Sequence, residues 1–142
     1  MRRFKFSLEK VLKLREFKEE EAKLALGQAI SVLNKIENDI KQTALKRHAA
    51  STQRFANPGE ILMWDMYILR LEQETERLLK QAAQAQIVVE EKRALYLEAQ
   101  KDLKAMENLK EKRQKEYRKE MLNYQMNEVD DITSSRMVTV TT

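Results

Sequence analysis

Only one point in this chain is built to break a helix. Pro58 and Gly59, adjacent in the stretch FANPGEILMW, are its single proline and one of its two glycines, in 142 residues. Proline's locked ring and missing amide suit the first turn of a helix and disfavour its interior. Asn57 just before it is an N-cap candidate, and Glu60 places negative charge in the first turn. Elsewhere Ala, Glu, Lys, Leu, Arg and Gln dominate, which are the strongest helix formers. The chain reads as two long helices joined at ANPG.

Apolar spacing supports this on both sides of the break. Steps of four and three from Leu8 to Ala50 meet nine apolar residues in thirteen, and the same steps from Ile61 to Met106 meet twelve in fourteen. The expected fold class is all-α: an antiparallel coiled-coil hairpin with the second helix longer and a flexible C-terminal tail. The spacing predicts helix 1 over about 5–55, a turn at 56–59 and helix 2 over about 60–127. The hairpin forms a single domain, 1–130, and the patternless DITSSRMVTVTT places a disordered tail at 131–142. Expected seam residues are Leu26, Leu33, Ile36 and Ile40 in the first helix. In the second they are Trp64, Ile68, Leu78, Val89, Tyr96 and Leu103. A connection of a few residues makes the helices antiparallel and pairs residue i with about 115 − i. That register sets Trp64 against Ala49–Ser51 and Leu12 against Leu103, and it leaves the second helix unpartnered beyond about residue 107. At 1.5 Å per residue the arms would span roughly 70 and 100 Å.

Chemistry is hard to build from these residues. The absence of cysteine excludes disulfides and thiolate metal sites, and His48 is the sole histidine. Gly27 and Gly59 are too isolated for a phosphate-cradling loop. A two-helix hairpin also offers no pocket to perturb a carboxylate for acid–base work. The expectation is no enzyme, no catalytic or metal site and no cofactor. Gly27 reads as a tolerated small residue or a point of close approach. Apolar runs reach about four residues, against the roughly 20 needed to cross a bilayer. MRRFKF is followed by charged residues instead of the apolar block of a signal peptide, so the expected location is the cytoplasm.

Charge is unevenly spread. Residues 1–18 carry seven Lys or Arg against two Glu, and 108–120 carry six against three, while the whole chain is +4. An antiparallel bend brings these segments together as a basic tip, which favours encounter with an acidic protein surface. Phe4 and Phe6, flanked by Arg2, Arg3 and Lys5, read as exposed anchors on that tip. Just past the bend ILMWDMYILRL has more apolar faces than one helix can cover, leaving over Leu62, Met63, Met66, Tyr67 and Leu69. A self-associating structural coiled coil is an alternative reading. Nucleic acid is not an expected partner, because aromatic stacking groups make up only 6% of residues.

The opening FKFSLEKVLKLREFKEEEAKLALGQA, the aromatic stretch after the bend and LEAQKDLKAMENLKEKRQKEYRKE resemble the flagellar type III export protein FliJ family, over about residues 2–130. The resemblance implies a coiled-coil stalk of the flagellar export ATPase complex, cytoplasmic and peripheral to the inner membrane at the flagellar base. Its open end would enter the hexameric export ATPase, promoting ring assembly and hydrolysis. It would also contact the membrane export gate and escort export chaperones, in support of motility. The tip contacts implied are Phe4, Phe6, Leu8, Val11, Leu12 and Arg15, beside Lys110, Lys112, Arg113 and Lys115. The gate contacts implied are Tyr67 and Leu71, although Glu74 and Leu78 depart from the family's pattern on that face. The equivalent stalk of an injectisome secretion system would look similar.

Overall fold

A computed structural model of the chain describes residues 3–53 and 57–141. It contains two helices, α1 (Glu9–Ser51) and α2 (Pro58–Thr141), the second nearly twice as long as the first. The expected end of helix 1 at 54–55, residue 56 of the turn, and Arg2 lie outside the described residues. The helices contribute to two compact units, one of Met1–Lys18 with Ala99–Thr142 and one of Glu19–Glu98. In each, α1 and α2 lie side by side as the arms of a hairpin.

The helix ends follow from local chemistry. Asn57 Oδ1 accepts the amide of Glu60 at 2.9 Å, so Asn57 caps α2 with Pro58 in the first position. Such a cap is worth about 1 kcal/mol. At the end of α1 the hydroxyls of Ser51 and Thr52 donate to the carbonyls of His48 and Ala49, at 2.8 and 3.0 Å. The His48 carbonyl also accepts Thr52 N at 3.2 Å, so these hydroxyls add to the bonding of last-turn acceptors. At its start α1 begins four residues later than expected. Residues 3–6 are not helical, and a turn with Glu9 N donating to Phe6 O leads into the helix.

At the far end α2 does not stop near 127 but continues to Thr141. The hydroxyl and β-branched residues there are weak helix formers, costing at most about 0.7 kcal/mol each. Extending an existing helix pays no nucleation cost, and no glycine or proline follows Gly59 to end it. Thr133 further satisfies its hydroxyl on the carbonyl of Val129, at 2.9 Å.

The seam is narrow. In the unit of residues 19–98 the buried side chains are Ala29, Thr43, Ala50, Leu71, Leu78 and Val89. Leu26, Leu33, Ile36 and Ile40 on α1 are half-buried, as are Trp64, Ile68 and Tyr96 on α2. Leu103, in the other unit, is half-buried as well.

The register differs from expectation. Arg47 pairs with Glu72 at 2.8 Å, Arg15 with Asp102 at 3.4 Å, and Glu9 with Lys110 at 3.0 Å. The two residue numbers add to 117–119 in these pairs instead of 115. The turn alone is a poor guide to register, because α2 starts beyond the point where α1 ends and its first turns face little of α1. Ile61, Leu62 and Met63 are exposed, and beside the bend the expected facing holds, with Ala49 and Ala50 lining one groove with Trp64.

A side chain at Gly27 would meet nothing within 4 Å, so the close-approach reading does not hold. Gly27→Ala is expected to raise stability by about 0.5–1 kcal/mol through helix propensity, measured as a shift in the urea midpoint with unchanged slope.

Candidate functional site

In the unit containing both chain ends, residues 3–8 form a strap across α2. Phe4 stacks on Tyr117 with centroids 5.4 Å apart and planes tilted by 48°. Phe6 is 7% exposed, and the Arg113 guanidinium carbon lies 5.7 Å from its ring centre. The same Arg113 donates to Ser7 Oγ at 2.8 Å. Together with the Lys110–Glu9 and Arg15–Asp102 ion pairs, these contacts fasten the start of the chain to α2.

The strap overturns the expectation that Phe4 and Phe6 are exposed anchors. In an extended segment residues two apart share a side, whereas in a helix they diverge. Phe4 and Phe6 therefore turn together onto α2, while Arg3 and Lys5 are exposed. With pair numbers adding to 117–119, residue 4 would already face about 113–115, and the non-helical strap takes Phe4 a few residues further, to Tyr117. That is why α2 keeps partners out to Tyr117, well past residue 107. The alternation FKF was the signal for this, and reading it with helical phase concealed it.

The other tip candidates fall on both sides of the contact. Leu12 is buried and Leu8 half-buried, whereas Val11 is 37% exposed. Lys110, Arg113 and Arg15 are engaged as described. Lys112 is exposed, and Lys115 reaches Glu111 one turn back on its own helix at 3.4 Å.

Among the described residues, Tyr117 is the last residue of α2 seen against the strap. The helix nonetheless continues for another twenty residues, and it is apolar on one side. Leu122, Met126 and Val129 follow steps of four and three, are 59%, 59% and 60% exposed, and line a shallow depression with Gln125 and Asp130. Sequence reasoning missed this stripe. Its heptad phase does not continue the one that enters at Ile61, so following that phase past Tyr117 meets Glu120 and Tyr124 instead.

In the unit of residues 19–98 a second surface lies beside the bend. Trp64 and Tyr67 meet edge to face, 5.6 Å apart at 79°. They line an open groove of about 780 Å³ with Met63, Ala49, Ala50 and the cations Lys46 and Arg70. Of the two gate candidates, half-buried Tyr67 borders this groove, while Leu71 is 8% exposed and belongs to the seam. The leftover residues Leu62, Met63, Met66 and Leu69 are 54–72% exposed. One turn beyond Leu71, Arg77 bonds Glu74 and holds its carboxyl below the ordinary value, mainly through that hydrogen bond.

Among the described residues no cluster of three or more His, Cys, Asp or Glu could hold a metal, and no helix is long and apolar enough to cross a membrane. His48 is exposed in the last turn of α1. The two surfaces are a basic clasp continued by the exposed stripe of Leu122, Met126 and Val129, and an aromatic groove. A family model described as Flagellar FliJ protein matches residues 4–139. No curated protein and no solved structure matches the chain.

Proposed function

Because the chain belongs to the flagellar FliJ protein family, a structural component of flagellar type III export, we propose that it is the stalk of the export ATPase complex. The clasped unit enters the central pore of the hexameric export ATPase and promotes ring assembly and ATP hydrolysis without itself catalysing a reaction. The observation that carries this reading is the overhang of α2. About twenty residues extend past the last partner on the strap and present Leu122, Met126 and Val129 beside a basic stretch. The helix itself is held as an extension of α2, but its apolar stripe is open to solvent in the free chain, and an outside partner covers it. The exposed cations Arg3, Lys5 and Lys112 suit an acidic pore lining and speed the encounter. Phe6 and Leu12 act from beneath by holding the end together, and Val11 and the overhang make the contact.

The same reading gives the groove at Trp64 and Tyr67 to the membrane export gate. Tyr67 makes the contact and Leu71 supports it from within the seam. Export chaperones are further partners of the stalk, and it works in the cytoplasm, at the inner face of the membrane under the flagellum. Titrating the chain into the purified export ATPase tests the proposal. Turnover and hexamer formation are expected to rise together and to saturate, with dependence on salt. Turnover that stays flat up to a large excess of the chain refutes it.

A further inference from the structure

The seam of the unit formed by residues 19–98 contains one layer unlike its neighbours, and we infer that the hairpin opens there, so that the bend end loosens apart from the rest. Thr43 on α1 is 7% exposed, and Thr75 on α2 is half-buried at the matching level, with numbers adding to 118. Both hydroxyls are spent on their own helices. Thr43 Oγ1 donates to Asp39 O and Thr75 Oγ1 to Leu71 O, each at 2.8 Å. Among the described residues neither hydroxyl bonds across to the other helix, and the charges that face each other across the seam lie about a turn to either side, Asp39 toward Arg77 and Arg47 with Glu72. Back-bonding of this kind also tends to bend a helix and weaken it slightly.

Packing differs on the two sides of the layer. Away from the bend the seam closes on Leu78 and Val89, 4% and 2% exposed. Toward the bend Ala50 and Leu71 are buried at 2% and 8%, but residues 44–49 of α1 are all exposed, and half-buried Trp64 and Tyr67 border the open groove. The ion pair that crosses the seam on that side, Arg47–Glu72, has side chains about half exposed and holds weakly. Local opening in proteins follows such differences in buried contact, and contiguous segments open as units. The Thr43/Thr75 layer is the boundary of one such unit, residues 44–50 with 60–74. Its opening remodels the aromatic groove without disturbing the seam beyond.

Hydrogen exchange on the full chain, followed by mass spectrometry, tests this. Amides of 44–50 and 62–72 are expected to exchange at least tenfold faster than those of 26–36 and 79–90, with a step at the threonine layer. Thr43→Val combined with Thr75→Val keeps side-chain shape and helix propensity but makes the layer apolar. It is expected to slow exchange on the bend side at least threefold and leave the other side unchanged. Three results would overturn the inference: equal rates on the two sides, a smooth gradient fading inward from the bend as simple end fraying gives, or bend-side rates indifferent to the valine pair.

Discussion

Replacing Leu122, Met126 and Val129 together with glutamine is expected to lower the apparent affinity for the export ATPase about a hundredfold while leaving the melting temperature within about 2 °C of the parent. The two halves of this expectation have separate causes. Full burial of a large apolar side chain is worth about 1.5–3 kcal/mol. These three are 59–60% exposed in the free chain, so roughly that share of each remains to be gained on docking. At the lower end of that range the total is about 3 kcal/mol, or a factor near a hundred in binding. Stability is spared because the stripe lies beyond the last partner on the strap and glutamine is a good helix former. Half-maximal stimulation measured against chain concentration reads the first effect, and thermal circular dichroism reads the second. A triple variant that stimulates normally removes the overhang from the contact surface.

Phe6→Ala is expected to release the strap. The side chain is nearly fully buried and carries the Arg113 guanidinium over its ring. Truncating a buried phenylalanine costs about 3–5 kcal/mol. The other strap contacts cannot absorb such a loss. The Phe4–Tyr117 ring pair and the exposed Arg113–Ser7 hydrogen bond are each worth about 1 kcal/mol, and the partly exposed Lys110–Glu9 pair less than that. Detachment is therefore local to residues 3–8 and leaves the helices in place, because it reaches neither Leu78 nor Val89. Trypsin cleavage after Lys5 is expected to speed up about a hundredfold while circular dichroism changes little. Leu14→Ala, at a residue 49% exposed, is the control and is expected to leave cleavage nearly unchanged. If Phe6→Ala leaves cleavage at the parent rate, the strap is not held as described.

The two-helix hairpin, with its longer second helix, was legible because it rests on local chemistry. Proline fixes where α2 begins, the Asn57 cap follows from one side chain, and a stripe at steps of four and three cannot be hidden in a chain so rich in charge. Register was less legible. It depends on how far α2 starts beyond the end of α1, and a short connection can place that start several residues either way. Phe4 and Phe6 were assigned the wrong side because two-residue spacing has opposite meanings in extended and helical backbone. The C-terminal end of α2 was missed through reliance on intrinsic propensity, which is small beside the advantage of extending a helix already formed. Tyr67 and Leu71 show a related limit. Both sit on the face that family likeness suggested, yet only Tyr67 borders the groove, because Leu71 is taken by the seam.

The most direct test of the stalk reading is photo-crosslinking in cells from two exposed positions, Met126 on the overhang and Leu45 in the unit of the bend. The account predicts a crosslink to the export ATPase from Met126 and none from Leu45. An ATPase product from Leu45 with nothing from Met126 would contradict it.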